Sequence, residues 1–295
     1  MDIRHTDKKG KRTLYVTDLD GTLLNAESRV SGHTAEILNS LVERGVMFTP
    51  ATARTPATVQ PLLSGIRQSV YTGAAGEVHP LPAIVMTGAG EWNRESRTFE
   101  SCITIPEVDA LKIRDVFAAD GLNPFVYCLS GNSFLNVYHP AAMTSRENGF
   151  YQERRHLELK RFHLDQQPSR WDSVALFFAI GPVKMVEHLV AELSGATSCA
   201  AAWYPDVFIP ETGLIDIYAP GVSKASAVRA MARKVGADEV VVFGDNLNDL
   251  PMMAVADVAV AVENALPEVK AKADVVIGRN TEDAVARWIE QREKD

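Results

Sequence analysis

The amino-acid sequence predicts an α/β fold with a doubly wound, mostly parallel sheet as its core and an inserted α/β block. Apolar runs at residues 14–17 and 239–244 predict buried strands, because β-branched and aromatic side chains are frequent in them. An amphipathic helix and another apolar run follow the first strand, and this order forms a parallel pair with a right-handed crossover. From about residue 91 to residue 219 the chain follows a separate alternation of strand-like and helical stretches. The core is therefore predicted to be Rossmann-like and interrupted by one insertion.

The residues at the ends of the core elements support their boundaries. Ser31 and Ser223 suit helix N-caps, and Gly45 and Gly236 suit the positions after the last turns. The predicted core elements are, in chain order, a helix over 31–44, strands over 46–52 and 84–86, a helix from 223, and strands over 239–244, 258–262 and 275–277. We predict a core of residues 1–90 and 220–295, and an insertion of residues 91–219.

The insertion carries strands and helices of its own. The predicted strands are 99–105, 125–129, 134–138, 174–180, 198–204 and 214–218. The predicted helices are 106–120 and 182–194, and Val108 belongs to the expected apolar face of the first. At the other end of the chain, the charged residues 290–295 are expected to fray.

Composition and charge exclude several classes of function. The chain has 295 residues, 46% of them apolar and 23% charged, as in ordinary globular proteins. A net charge of −8 argues against nucleic acid as a partner. No apolar run is long enough for a membrane span or a signal peptide, and three scattered cysteines suit a reducing compartment. We expect a cytoplasmic protein, and nothing in the sequence indicates its oligomeric state.

Two acids stand at the end of the first strand. Asp18 and Asp20 are two residues apart, so both side chains could project from the same side of an extended chain. In open α/β sheets the carboxyl ends of the strands are where ligands bind. Two neighbouring carboxylates stay ionised only if a cation or a hydrogen-bond donor lies between them. From these residues alone, a solvated Asp-Gly turn stays an alternative.

The run Asp-Leu-Asp-Gly-Thr at residues 18–22 resembles motif I of the haloacid dehalogenase (HAD) superfamily of phosphatases. The resemblance implies that Asp18 attacks phosphorus and that Asp20 acts as general acid and base. The chemistry suits this spacing, because a carboxylate can form an aspartyl-phosphate. A neighbour two residues along can then protonate the leaving oxygen and deprotonate water.

Two further segments resemble the phosphate-binding motifs of this family. Thr52 stands in Ala-Thr-Ala-Arg, which resembles motif II, whose Thr or Ser bonds the transferred phosphoryl group. Ala53 stands where the Cof-type branch usually has Gly, and a helix N-cap is the alternative role for Thr52. Arg54 could reach an anion or lie on the surface. Lys224 opposes the dipole of its predicted helix and matches motif III, whose lysine holds phosphate.

The second strong signal is Gly-Asp-Asn-Leu-Asn-Asp at residues 244–249, which matches motif IV. Oxygen donors at a strand end suit Mg²⁺. The resemblance implies that Asp245 binds the ion directly, together with Asp18 and the main-chain carbonyl of Asp20. It implies an outer or water-mediated role for Asp249 and hydrogen-bonding support from Asn248. A loop of helix-capping acids is the alternative.

The third predicted strand runs into Thr87-Gly88, which resembles the Asn-Gly-Ala turn of the Cof-type branch with Thr87 in place of Asn. The position and length of the insertion match the type-IIB cap of the family. Within it, His139, Arg146 and Glu147 are candidates for substrate contacts. A solvated helix with opposite charges three to four residues apart is the alternative reading of that segment.

The predicted function follows from the complete set of acids. Asp20 retains a base that could activate water, which favours hydrolysis of the phospho-enzyme. We predict a Mg²⁺-dependent phosphatase of a small phosphorylated metabolite, and the Cof-type resemblance implies a sugar phosphate. A phosphomutase of the same superfamily and a non-catalytic phosphosugar-binding regulator are the alternatives.

Overall fold

The computed structural model describes residues 11–206 and 209–294. The chain divides into two compact units: the first ends at Glu100 and resumes at Ser223, and the second runs from Ser101 to Val222. The sequence placed these boundaries after residues 90 and 219. None of the described helices combines the length and the apolar content that a membrane crossing requires.

Sixteen strands lie within the described ranges. They are β1 (Thr13–Thr17), β2 (Met47–Pro50), β3 (Val70–Thr72), β4 (Val78–Pro80), β5 (Ala83–Val85), β6 (Gly90–Asn93), β7 (Thr98–Cys102), β8 (Phe125–Ser130), β9 (Phe134–His139), β10 (Lys160–Leu164), β11 (Val174–Pro182), β12 (Ala200–Pro205), β13 (Thr212–Tyr218), β14 (Glu239–Gly244), β15 (Val258–Val262) and β16 (Val275–Ile277).

The same residues contain nine α-helices. They are α1 (Gly32–Glu43), α2 (Pro56–Leu62), α3 (Glu107–Asp120), α4 (Ser145–Arg154), α5 (Val183–Ala196), α6 (Lys224–Val235), α7 (Leu250–Met253), α8 (Pro267–Lys270) and α9 (Ala284–Arg292).

The first unit is built on a five-stranded parallel sheet in the order β16-β15-β14-β1-β2. All five residues of β1 are buried, which requires cover on both faces of the sheet. Helix α1 packs against α9, and α6 packs against α7. The parallel bridge between Ala51 and Ile84 brings β5 alongside β2. The predicted Rossmann-like, mostly parallel core is confirmed.

Two antiparallel additions also belong to the first unit. Strands β3 and β4 form a hairpin, and β5, β6 and β7 form a three-stranded sheet. Trp92 is fully buried there and meets the ring of Phe99 edge-on at 5.0 Å. The predicted strand over 99–105 corresponds in its first part to β7, which pairs with β6 of the first unit and ends two residues past the boundary at Glu100.

The second unit has a mixed six-stranded sheet in the order β10-β9-β8-β11-β13-β12. Only β9 and β10 pair in parallel within it. Phe177 and Phe178 point to opposite faces because they are consecutive on β11. Phe177 stacks on Phe117 of α3, and Phe178 packs against Phe150 of α4. Both faces of this sheet thus carry helix contacts.

Helix α3 presents a different face to the core than the sequence suggested. Its buried residues are Ala110, Ile113 and Phe117, which recur three and four positions apart. Val108 lies two positions before Ala110, on the other side of the helix, and is 63% exposed. The prediction that Val108 belongs to the buried face is wrong.

The C-terminal segment is ordered by two contacts that the sequence did not indicate. Helix α9 continues to Arg292, whose guanidinium pairs with Glu239 at 2.7 Å. The hydroxyl of Tyr15 donates to Glu293 at 2.5 Å. The expectation that this segment frays is wrong for the residues described, and Asp295 lies outside them.

Candidate active site

The central strand β1 and its neighbour β14 end side by side. Thr17 pairs with Phe243 in the parallel register, and the main-chain N–H of Asp18 donates to the carbonyl of Phe243 at 3.0 Å. Asp18 and Asp245 therefore leave the sheet at the same edge. Carboxylate oxygens of Asp18, Asp245 and Asp249 all lie within 4.8 Å of one another.

A buried lysine joins two of these acids. Lys224 is the first residue of α6, which Ser223 caps through the N–H of Ser226. Its ammonium donates to Asp18 Oδ1 at 2.5 Å and to Asp249 Oδ1 at 2.8 Å. Burial opposes the charged form, but the two carboxylates outweigh it and raise the Lys224 pKa above its ordinary value. A lysine at the start of a helix is unfavourable against the helix dipole. Here the pairing with two carboxylates explains its position.

Asp249 is fully committed to contacts within the protein. It is completely buried, and its Oδ2 accepts the main-chain N–H groups of Asp245 at 3.0 Å and Asn246 at 3.2 Å. Its Oδ1 is taken by Lys224. Asn248 is exposed in the same turn and forms no side-chain hydrogen bond with the described residues. The structure brings Asp249 into the cluster and leaves Asn248 outside it.

The loop after β1 closes around Asp245. The hydroxyl of Thr22 donates to Asp245 Oδ1 at 2.8 Å. Gly21 has φ +77°, and a Cβ built there would lie 2.4 Å from Asp245 Oδ2, so only glycine fits. Asn264 fixes the loop by donating to the Gly21 carbonyl at 2.7 Å. Sequence reasoning gave no role to Thr22 or Asn264, because nothing local marks their partners.

Arg54 and Asp20 form a two-pronged ion pair. Arg54 Nε donates to Asp20 Oδ2 at 2.7 Å, and its Nη2 donates to Oδ1 at 2.5 Å. This hydrogen bonding is the largest cause that raises the Arg54 pKa. The sequence left Arg54 between an anion site and the surface. In the structure its partner is the carboxylate of Asp20.

Thr52 lies in the loop between β2 and α2 and is 1% exposed. Its main chain bonds to Ile84 of β5 and to Thr87 in the turn after β5, each at 3.0 Å, and its hydroxyl accepts the N–H of Arg54 at 3.2 Å. Helix α2 begins at Pro56, with Thr55 in the N-cap position. The alternative reading of Thr52 as a helix N-cap is therefore wrong.

The Thr87-Gly88 turn lies against the start of α6. Thr87 has φ +57° and Gly88 has φ +101°. A Cβ at Gly88 would lie 2.5 Å from the carbonyl oxygen of Ser223, so the close approach of turn and helix requires glycine. This contact holds the helix that begins with Lys224. Thr87 has no side-chain hydrogen bond among the described residues.

The candidates in the second unit take part in internal packing. Glu147 is 3% exposed and forms a capping box with Thr144, and its Oε1 lies 3.6 Å from His139 Nε2. His139 also stacks on Phe125 at 4.0 Å. Arg146 pairs with a buried aspartate, Asp206. A solvated helix describes Arg146, whose side chain is 41% exposed, but not His139 and Glu147, which are buried.

The donor set suits a hard divalent cation. Three carboxylates surround one ammonium, so negative charge is in excess. Burial is the main cause that raises the pKa of Asp18 to about 7 and that of Asp245 to about 6, and neighbouring acids add to both shifts. A cation among oxygen ligands would relieve this excess. Asp18 and Asp245 are the candidates to hold such an ion, because each carboxylate accepts one hydrogen bond within the protein, whereas that of Asp249 accepts three.

Comparisons with known proteins agree on one family. The model of the family described as haloacid dehalogenase-like hydrolase matches residues 15–289. Pyridoxal phosphate phosphatase YbhA of Escherichia coli is 24% identical over 281 residues, covering 92% of this chain and 95% of that protein. The 5-amino-6-(5-phospho-D-ribitylamino)uracil phosphatase YwtE of Bacillus subtilis is 26% identical over 300 residues, covering 93% and 96%.

Solved structures share the fold over nearly the whole chain. A haloacid dehalogenase-like hydrolase from Bacteroides thetaiotaomicron superposes with a TM-score of 0.72 at 21% identity, covering 95% of this chain and 99% of that one. The HAD subclass IIB sugar phosphatase BT4131 gives a TM-score of 0.68 at 19% identity, covering 95% and 98%. The family and the hydrolase class predicted from the sequence are confirmed. The chain belongs to the haloacid dehalogenase-like hydrolase family.

Proposed function

We propose that this protein is a Mg²⁺-dependent phosphatase that hydrolyses a small phosphorylated metabolite through an aspartyl-phosphate on Asp18. One observation carries the proposal. The carboxylate of Asp18 ends the central strand, is held by Lys224 at 2.5 Å, and has an oxygen within 4.8 Å of one from Asp245. A nucleophile, a fixed cation and a carboxylate suited to metal binding thus lie close together, as in-line phosphoryl transfer requires.

Asp18 and Asp20 would divide the covalent chemistry. A carboxylate oxygen of Asp18 forms a bond to phosphorus while the bond from phosphorus to the leaving oxygen breaks. Asp20 gives its proton to that oxygen and then takes one from the water that hydrolyses the aspartyl-phosphate, which releases phosphate and restores both groups. The guanidinium of Arg54 orients the Asp20 carboxylate through two hydrogen bonds for the step in which it takes the proton of water.

The remaining residues would bind the phosphoryl group and the ion. Lys224 and Thr52 are proposed to hold phosphoryl oxygens, since each is buried at the edge where Asp18 lies. Asp18, Asp245 and the carbonyl of Asp20 would hold Mg²⁺, which neutralises charge on the phosphoryl oxygens when bound. Asp249 keeps Lys224 and the Asp245 loop in place.

The substrate class is proposed from similarity. The relatives named above are phosphatases of pyridoxal phosphate and of a phosphoribitylamino-uracil, and one structural neighbour is a subclass IIB sugar phosphatase. We propose a sugar phosphate as the first candidate substrate and other small phosphate esters as the second. A cytoplasmic location belongs to the same proposal, and the three free cysteines support it.

The test is release of free phosphate from a panel of phosphorylated metabolites, with Mg²⁺ and with EDTA. Turnover is expected only with the ion. Asp18→Asn should lower kcat by more than about a thousandfold, because it removes the nucleophile. Asp115→Asn, at an exposed aspartate paired with its neighbour Arg114, is the matched control and should leave kcat unchanged.

Three outcomes would contradict the proposal. Conversion of a sugar phosphate into its positional isomer without free phosphate would show a mutase. Unchanged turnover in the Asp18→Asn variant would remove the aspartyl-phosphate. A chain that binds phosphosugars but turns over none of the panel would be a regulator.

A further inference from the structure

Three side chains of metal-binding type meet between two helices of the second unit. Asp120 is the last residue of α3, and His188 and Glu192 lie four positions apart on α5. This spacing places His188 and Glu192 on one face of their helix. One ligand atom from each of the three residues lies within 4.8 Å of the other two. Helices α3 and α5 thus contribute two carboxylates and one imidazole to a single cluster.

The carboxylate of Asp120 contains a buried oxygen without a partner. Its Oδ2 is shielded from solvent and accepts no hydrogen bond from any residue in the ranges 11–206 and 209–294. Buried polar atoms almost always have a partner, so an oxygen of this kind needs an explanation, and a bound ion is one of the few available. The oxygen therefore indicates a ligand independently of the spacing between the three residues.

The position of Asp120 in its helix also favours a cation. The C-terminus of a helix carries partial negative charge, so an acid in the last turn is unfavourable and a cation is favourable there. The last turn of α3 contains no basic residue, and Gly121 ends the helix with φ +68°. Glu192 adds a second carboxylate beside it. Negative charge from the two side chains and from the helix end is thus concentrated in one place.

The donor atoms suit a transition metal. Two ligands about 2 Å from one Zn²⁺ ion are at most about 4 Å apart. His188 Nε2 and Glu192 Oε2 already lie 3.7 Å apart, and these side chains are 68% and 43% exposed, so both are free to turn towards Asp120. An imidazole among carboxylates favours Zn²⁺ over Mg²⁺, which prefers oxygen ligands. The exposed side of the cluster gives the ion a path of entry and leaves a position for water.

We propose that Asp120, His188 and Glu192 bind one divalent transition-metal ion, with Zn²⁺ as the best fit, and that this ion clamps the end of α3 to α5. The two carboxylates supply oxygens, the imidazole supplies a ring nitrogen, and water completes the coordination. The ion gives the buried oxygen of Asp120 a partner and offsets the charge at the helix end. The site does not rest on the proposed function, because it shares no residue with the phosphoryl-transfer set.

The first experiment titrates Zn²⁺ into the full chain by calorimetry after treatment with EDTA and its removal. The variants are Asp120→Asn, His188→Gln and Glu192→Gln. Glu187→Gln is the matched control, because Glu187 is an exposed glutamate of the same helix, one position before His188. Asp245→Asn serves as a second control, because it alters the carboxylate cluster of the first unit and leaves these three residues unchanged.

The wild type and both controls should share one Zn²⁺ site that the three variants weaken. Loss of a partner that only orients a ligand already costs tenfold to a hundredfold in metal affinity, so loss of a ligand should raise the Kd by at least about a hundredfold. Mg²⁺ at the same concentrations should give no binding that depends on His188. The site is overturned if the wild type binds no Zn²⁺, or if the three variants bind it as tightly as the wild type does.

Melting temperatures give an independent readout. In EDTA, Asp120→Asn should melt slightly above the wild type, because it removes a negative charge from the end of α3. With Zn²⁺ the order should reverse, since the ion stabilises only a folded chain that keeps the site. Glu187→Gln should follow the wild type in both conditions. An Asp120→Asn variant that is the more stable protein in both conditions would show that the cluster is merely a group of surface charges and would overturn the site.

Discussion

The guanidinium of Arg54 grips the carboxylate of Asp20 with two hydrogen bonds, of 2.7 and 2.5 Å. The two residues come from different loops, one after β1 and the other after β2, whose strands are direct neighbours in the sheet. The proposed acid and base is therefore oriented by a cation outside its own motif. Because the Arg54 side chain is 28% exposed, this pair is open to test by substitution without damage to the core.

Arg54→Ala should lower kcat for sugar phosphates by roughly tenfold to a hundredfold, because Asp20 then loses its orientation for proton transfer. The loss should be much smaller for p-nitrophenyl phosphate, whose leaving group needs little protonation. Steady-state kinetics on both substrates measure the difference. Arg67→Ala, which removes a surface pair with Glu43, is the control. Equal losses on the two substrates would contradict an orienting role.

Lys224→Met should both abolish turnover and destabilise the fold. It leaves the carboxylates of Asp18 and Asp249 buried without their cation, which costs about 3–5 kcal/mol in free energy of unfolding. Adding Asp249→Asn should recover part of the stability and none of the activity. Lys234→Met, at a half-buried lysine that also bridges two glutamates, should cost no more than about 1 kcal/mol. Urea unfolding curves give these values.

Gly21→Ala, compared with Gly131→Ala, should distinguish the effect of a collision with Asp245 from the effect of backbone strain. Alanine is strained at φ +77°, and its Cβ would also collide with Asp245 Oδ2. Turnover should fall, and the Mg²⁺ concentration for half-maximal activity should rise. Gly131 has φ +60° but nothing within 4 Å of a built Cβ, so Gly131→Ala carries the strain without the collision. It should lose roughly 1 kcal/mol of stability and keep full activity. The prediction is wrong if both variants keep the same response to Mg²⁺.

Asp216 makes stability depend on pH. Burial raises its pKa to about 6, although the Tyr204 hydroxyl that donates to it at 3.0 Å opposes the shift. The folded state thus holds a proton that the unfolded chain has already lost, so the free energy of unfolding falls as pH rises from about 4 to 6. Asp216→Asn should be more stable than the wild type by about 1–3 kcal/mol at pH 8 and nearly equal to it below pH 4. Melting curves at several pH values provide the check, and a uniform offset would contradict this assignment.

Sequence patterns predicted the core well where local rules suffice. Apolar strands that end in Asp18 and Asp245, and a lysine placed against its helix dipole at Lys224, point to one edge of a parallel sheet. The structure places all three together. Their catalytic roles stay predictions. The family of the chain could also be inferred from these motifs and is confirmed.

Other features depend on contacts that no local pattern carries. Arg54 and Asp20 are 34 positions apart in loops, and Asn264 reaches Gly21 across 243 positions. Strand β10 was not predicted, because Lys-Arg-Phe-His-Leu lacks the alternation of a half-buried strand. Its buried lysine runs against the usual location of that residue type. The predicted insertion wrongly included most of the β6–β7 hairpin, because the sequence pattern of a hairpin does not indicate to which unit it belongs.

The central place of β1 between β2 and β14 bears on how the protein is made. Thr13 pairs with Glu239, which follows 226 positions later. While the ribosome is still translating the intervening residues, one side of β1 presents unpaired N–H and C=O groups, and nascent chains in this condition are prone to aggregate. Closure of so long a loop slows folding. Asp18 is synthesised 206 positions before Lys224, so the proposed nucleophile and its cation can meet only after the whole intervening insertion has been translated.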